Sequence, residues 1–340
     1  MSPSFNLTAL AIAIAAVFLF WTISSTSSPF TRSFPRLRNK RICLLIAHPD
    51  DEAMFFSPTV LALTKPELGN HLKILCFSTG TSLSSAHSRH WAGSIAPDTI
   101  PNTTYQSWSP SEKSTNNNSS TGDADGLGET RAKELQKSAL LLGIRDESDV
   151  FIVDDPTRFP DSMTATWAAD QITSLLASAF SPDLAATLNG TAKKNPKKAP
   201  TASIDVLVTF DQNGISNHPN HRSLYHGAVH FLRTLMTDKE GFNCPVTLYT
   251  LTSTSMLRKY AGVLDAPYSM LLGVLGNLFG GKKSGENGPG RLLFVSSVGE
   301  WLTAQSAMVM GHKSQMVWFR WGWITIGRYM TVNDLKRETV

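Results

Sequence analysis

From residue 41 onward, short apolar runs alternate with amphipathic stretches, and the two periods set the expected elements. Arg41–Ala47, Leu72–Ser78, Asp149–Asp154, Asp205–Phe210 and Pro245–Leu251 are aliphatic or β-branched runs, which predicts buried strands. Between them, Ser57–Thr64 carries Pro58 in a first helical turn. Glu129–Leu142 repeats apolar or small residues at Ala132, Leu135, Ala139 and Leu142, and Gly143 stops it. Thr164–Phe180 and Asn220–Leu235 also read as helices. This βαβα rhythm predicts an α/β fold with a doubly wound, mostly parallel sheet.

The two ends depart from that rhythm. Leu7–Ile23 is uncharged and mostly apolar, near the lower limit for a helix that spans a bilayer. Arg32, Arg36, Arg38, Lys40 and Arg41 follow it, and a basic flank on that side favours a cytosolic location for the rest of the chain. A removed signal peptide is the alternative, although the basic stretch that should precede its apolar core is missing. The sequons at Asn102, Asn117, Asn118 and Asn189 discriminate, because only a lumenal domain is glycosylated there. The chain thus divides into a membrane anchor and basic linker over residues 1–40 and one domain over 41–335. A linker of roughly fifteen to twenty residues would let that domain reorient. Flexible insertions are expected near 101–125, 188–201 and 280–290. Tyr268–Phe279 is apolar but too short to cross a bilayer. Met316–Met330 mixes Trp318, Phe319, Trp321, Trp323 and Tyr329 with Arg320 and Arg328, which suits either a membrane interface or a Trp-rich core helix.

Composition narrows the function classes. A net charge of +4 over 340 residues, with no stripe of Lys and Arg, excludes a dedicated nucleic-acid binder. The three cysteines, Cys43, Cys76 and Cys244, are scattered, without zinc-finger or disulfide spacing, which fits a reducing compartment.

The chemistry gathers at two strand ends. His48-Pro49-Asp50-Asp51-Glu52 follows the first strand, and His218-Pro219-Asn220-His221 follows the fourth. In the usual doubly wound order those strands are neighbours at the switch point, where open α/β sheets bind ligands. A catalytic zinc takes three protein ligands and keeps one position open. His48, Asp51 and His221 supply such a set, which leaves Asp50 as general base and His218 to assist the leaving group or the oxyanion. A connector rich in Pro, Asp and Asn is the plainer reading of each cluster taken alone. His71, His87, His90, His226, His230 and His312 have no such company and read as ordinary histidines. Asp123 and Asp125 read as part of a loop.

Ala47–Glu52 resembles the AHPDDE signature of the LmbE-like de-N-acetylases, and His218–His221 resembles their downstream HxxH motif. Ala47–Thr64, Gly126–Leu142, Phe159–Asp161, Phe210–Tyr225 and Gln315–Met330 are further similar to the eukaryotic PIG-L branch of that family, which acts on N-acetylglucosaminyl-phosphatidylinositol. The resemblance implies a Rossmann-like fold and removal of acetate from GlcNAc-phosphatidylinositol, the second step of GPI-anchor assembly. It implies zinc or a similar divalent ion, and a single-pass endoplasmic-reticulum membrane enzyme facing the cytosol. By motif position it assigns metal binding to His48, Asp51 and His221, the base to Asp50, and support of the tetrahedral intermediate to His218. It also assigns a substrate contact to Arg131, whose plainer reading is a helix arginine paired with a nearby Glu. Relatives often carry Asp at position 220, where it could tune His218; Asn220 cannot carry that charge. Two alternatives remain: a deacetylase of another N-acetylated amino-sugar conjugate, and a non-catalytic membrane scaffold that binds the glycolipid.

Overall fold

The computed structural model describes residues 3–31, 34–80, 127–279 and 288–339. The expected insertion at 101–125, most of that at 280–290, His87, His90, Asp123, Asp125 and the sequons at Asn102, Asn117 and Asn118 lie outside them.

Seven strands form one sheet: β1 (Arg41–Ile46), β2 (His71–Cys76), β3 (Val150–Ile152), β4 (Val206–Phe210), β5 (Thr247–Leu251), β6 (Arg291–Val295) and β7 (Val332–Arg337). Their order is β3-β2-β1-β4-β5-β7-β6. The first five are parallel, with β1 beside β4 in the register Ile42↔Val206 and Leu44↔Val208. The doubly wound core therefore matches the expectation, and the switch point falls between the two motif-bearing strands. Both of those strands are almost wholly buried, which explains their unbroken apolar sequences.

The helices are α1 (Pro3–Ser24), α2 (Asp51–Met54), α3 (Ser57–Leu63), α4 (Leu127–Leu141), α5 (Ala169–Phe180), α6 (Pro182–Leu188), α7 (Gly214–Asn217), α8 (Pro219–Met236), α9 (Met256–Lys259), α10 (Ala266–Phe279), α11 (Val298–Ser306) and α12 (Trp318–Ile326). The expected helix over 164–180 starts only at Ala169.

Two strands were not expected: β7 pairs antiparallel with both β5 and β6, so β7 alone runs against the other described strands. The sheet thus extends to Arg337, beyond the expected boundary at 335. Asn333 on β7 is fully buried because it serves as a bracket. Its Oδ1 accepts from Thr59 Oγ1 (2.7 Å), and its Nδ2 donates to the Phe55 carbonyl (2.9 Å). The C-terminal strand β7 is thereby fixed to the segment that follows the first motif.

Leu7–Ser24 of α1 is long and apolar enough to cross a membrane. Its carboxyl end is docked on the domain. Trp21 packs with Val263, Ala266, Val295 and Val332, and its Nε1 donates to the Ser296 carbonyl (2.6 Å). The Thr26 amide then donates to the Val295 carbonyl (2.7 Å), and Arg36 Nη2 to the Thr26 carbonyl (2.7 Å). The expected freely reorienting linker is instead held against β6.

The loop at 188–201 is also tied down, by Lys194–Asp238 (2.6 Å) and Lys198–Asp183 (2.7 Å) at the surface. The aromatic C-terminal segment splits between its two readings. Trp323 and Tyr329 are in the core, and Arg328 is fully buried in an ion pair with Asp265. Trp318 is 85% exposed, and Phe319 and Trp321 are exposed as well.

Candidate active site

The first motif is a constrained turn. Pro49 stops β1, and Asp50 takes φ 112°, left-handed backbone that a non-glycine residue adopts only when its surroundings impose it. Side chains impose it here. Asp51 Oδ2 accepts from the Ala47 and His48 amides (2.9 Å each), and Glu52 Oε2 accepts from the Asp50 amide (3.1 Å). Glu52 is itself fully buried, with its Oε1 receiving His312 Nε2 (2.6 Å) and Ser138 Oγ (2.5 Å). His312, read from sequence as ordinary, is thus a buried support of the turn. Its partner is 260 positions away, so no local spacing could reveal it.

The second motif has a similar design. Gly214, Ile215 and Asn217 all have positive φ (56°, 62° and 60°), and for β-branched Ile215 this is costly. The Ile215 amide donates to Ser253 Oγ (2.9 Å), and Lys259 Nζ donates to the Ile215 carbonyl (2.9 Å). This strained loop orients His221, whose Nδ1 meets the Gly214 carbonyl at 3.1 Å. Nδ1 therefore carries a proton, and Nε2 is presented to the site. A Cβ at 214 would lie 2.8 Å from His221 Cβ, so glycine is required there. Phe210 stacks on the imidazole at 3.9 Å between ring centres.

The two motifs converge. His221 Nε2 lies 3.2 Å from Asp51 Oδ1, and His48 Nδ1 lies 4.0 Å from Asp51 Oδ2. His48, Asp51 and His221 each place a ligand atom within 4.8 Å of the others; His48, Asp161 and His218 do the same. Asp161, not singled out from sequence, reaches His48 Nε2 at 3.2 Å. Imidazoles with carboxylate suit a divalent ion. Among the described residues Asn220 Oδ1 is buried with no partner beside this cluster, an acceptor that calls for a cation or water. The residues present therefore fit a divalent metal. The Asn220 side chain meets His48 Nε2 (3.1 Å), not the His218 ring, which its backbone amide contacts instead (3.3 Å to Nδ1). The expected link between position 220 and His218 thus runs through the main chain.

Burial raises the Asp50 carboxyl to about 6; Arg320 opposes the rise and Asp51 adds to it. Asp51 moves the other way. Burial alone would raise it, but His221 and His48 hold it well below the ordinary range. Burial and the neighbouring His221 and His48 push His218 down to about 4. Neutral at physiological pH, with Nδ1 accepting from Asn220, His218 carries its proton on Nε2.

Arg320 on α12 forms an ion pair with Asp50, so this arginine points inward rather than toward a membrane. Arg131 does not use a neighbouring Glu either. Its Nη1 donates to the Gly80 (2.8 Å) and Thr79 (3.3 Å) carbonyls beyond β2, and its charge helps to lower Asp161.

Residues 43–232, more than half of the chain, match the PIG-L family, described as GlcNAc-PI de-N-acetylase. The N-acetylglucosaminyl-phosphatidylinositol de-N-acetylase of Arthroderma benhamiae is 56% identical over 100% of both chains. The enzyme of that name from Bos taurus is 31% identical over 87% of this chain and 82% of its own. The one from Saccharomyces cerevisiae is 27% identical over 97% and 93%. A family match of this extent, with full-length identity above one half, means that the chain belongs to the PIG-L family of GlcNAc-PI de-N-acetylases.

Proposed function

We propose that this chain removes the N-acetyl group from GlcNAc-phosphatidylinositol as a zinc-dependent amidohydrolase, the second step of GPI-anchor assembly. The observation that carries the reading is the meeting of Asp50 with the His48–Asp51–His221 set where β1 and β4 diverge.

His48, Asp51 and His221 would hold the ion, which when bound polarises the acetamide carbonyl and an attacking water. Asp50, ionised at neutral pH, accepts the proton of that water as its oxygen joins the carbonyl carbon. A carboxyl with a pKa of about 6 can then return this proton to the nitrogen as the C–N bond breaks, leaving acetate and a free amine. Neutral His218 donates its Nε2–H to the developing oxyanion. Arg131, at the rim near Asp161, contacts the sugar's polar groups.

The test is acetate release from synthetic GlcNAc-phosphatidylinositol by the full chain, beside soluble GlcNAc conjugates, before and after chelation. Preference for the lipid-linked compound, lost on chelation and restored by zinc, is expected. Equal turnover of simple conjugates would favour a different amino-sugar substrate.

The same reading places the enzyme in the endoplasmic-reticulum membrane, held by α1, with its domain in the cytosol. Asn189, exposed at the end of α6, and the sequons at Asn102, Asn117 and Asn118 should then stay unmodified. A glycosidase-sensitive mass at any of them would reverse the orientation.

A second membrane contact fits the exposed apolar side chains. Leu257, Leu264, Leu271, Trp318, Phe319 and Trp321 are all exposed, on α9, on the turn before α10, on α10 and on α12. These segments adjoin: Tyr260 packs edge-on against Trp323 (5.9 Å), and Arg258 lies over Tyr268 (4.4 Å). Interfacial aromatics anchor proteins at headgroup depth. Trp318→Ser with Trp321→Ser should weaken activity on vesicle-embedded substrate while sparing a short, water-soluble analogue. Trp323→Ser should instead cost about 3–5 kcal/mol of stability, as loss of a core aromatic does, and harm both substrates. Equal loss on both substrates in the double variant, with earlier melting, would make Trp318 and Trp321 structural.

A further inference from the structure

Lys259 is buried (7% exposed) and, among the described residues, has no carboxylate partner. Its ammonium makes a single hydrogen bond, to the Ile215 carbonyl. The fold treats other cations differently: the buried Arg328 has Asp265, and even the half-buried Arg320 has Asp50. An ammonium withdrawn from water without a counter-charge is expensive. Burial lowers the Lys259 pKa, with no neighbouring anion to oppose it.

Lys259 lines a wide, open depression of about 680 Å³. Asn213, Ser216 and Asn217 supply neutral polar groups to its wall, and Met256 and Tyr260 form an exposed apolar rim. Two chains of contact link the cavity to the reaction site. Asn217 directly precedes His218, and Trp323 in its wall packs on Phe55 (5.4 Å), which packs on His221 (5.6 Å). A ligand here would thus meet a buried lysine, neutral polar groups and an exposed apolar rim, one residue from the second motif.

We propose that this cavity binds the phosphodiester of the substrate's aglycone, with Lys259 as its counter-charge. The assignment rests on the functional reading above and deepens it. The cavity would select a phosphoinositol-linked amino sugar over a plain glycoside, while the apolar rim faces the acyl chains. Lys259 would then determine specificity without touching the reacting amide.

The competing role for Lys259 is structural, because it also steadies the loop that orients His221. Comparing two substrates in one protein separates these roles. GlcNAc-phosphatidylinositol with short acyl chains and its phosphate-free counterpart, GlcNAc-inositol, are assayed with the zinc-loaded full chain in neutral detergent micelles. Wild type should prefer the phosphodiester. Lys259→Met should raise KM for the phosphodiester about 10- to 100-fold, the usual worth of a charge-assisted contact. Because Lys259 also holds the loop that orients His221, turnover of both compounds falls together to some extent, so the ratio of kcat/KM between them is what the assay reads, and it should drop about 10- to 100-fold. Lys259→Arg should keep most of the preference. Equal loss on both substrates would overturn the assignment and leave Lys259 as a loop support. If phosphatidylinositol added to the micelles stimulates GlcNAc-inositol turnover in wild type but not in Lys259→Met, the cavity takes a separate lipid headgroup, and the substrate assignment fails. A wild-type chain that releases acetate from neither compound, yet deacetylates another amino sugar, overturns the functional reading itself and the cavity assignment with it.

Discussion

Asp50→Asn should lower turnover by about 10²–10⁴-fold, the usual worth of a general base. The substitution removes the group proposed to accept and return the proton while keeping the shape of the turn. The constraint on that turn comes from the Glu52 carboxylate on the Asp50 amide and from Asp51 on the amides of Ala47 and His48. None of these bonds uses the Asp50 carboxylate, so metal content measured by elemental analysis should be unchanged. In the metal-loaded wild type the activity should fall on the acid side of about 6, because the base must be ionised: burial raises its folded pKa to about 6, and the bound cation draws it lower. Loss of metal together with activity, or an unaltered rate, would contradict the role.

His221→Ala should abolish stoichiometric metal and reduce activity at least about 10³-fold, since the stabilisation that an ion lends the transition state amounts to several kcal/mol. Two candidate donor groups share His48, and this variant decides between them. His221 belongs only to the group with Asp51, whereas Asp161 and His218 belong only to the other. With the ion in the Asp51 group, Asp161→Asn keeps the metal and loses only the partner of His48 Nε2. The reverse outcome, with metal retained in His221→Ala and lost in Asp161→Asn, would move the ion to the outer group.

The parallel half of the fold was legible because strands buried on both faces must be continuously apolar, and β1 and β4 are. Each is followed by a cluster of His and polar residues, so the convergence at the switch point could be expected before any coordinates. The antiparallel half was not legible. β7 reads Val-Asn-Asp-Leu-Lys-Arg, and its polar character comes from a bracketing role that exists only across the fold: Asn333 binds Thr59 and Phe55. His312 escaped for the same reason, because its partner Glu52 is remote in sequence. Arg320 was within reach. It lies three and four positions before Trp323 and Ile324, both buried, and so shares the inward face of α12. The mixture of aromatics and arginines hid that periodicity.

With α1 spanning a bilayer as proposed, its docked end ties the domain to that bilayer mechanically. A spanning helix on a loose tether absorbs a change in membrane thickness by tilting alone. Here Trp21 is wedged among Val263, Ala266, Val295 and Val332, and the chain beyond it is bonded to β6. For a bilayer-spanning α1, tilt becomes rotation of the whole domain, like a rudder on a fixed post. Thicker and thinner membranes would then present the cleft to the lipid surface at different angles. Bilayer thickness, set by acyl-chain length and sterol content, would act as a control on catalysis that needs no ligand.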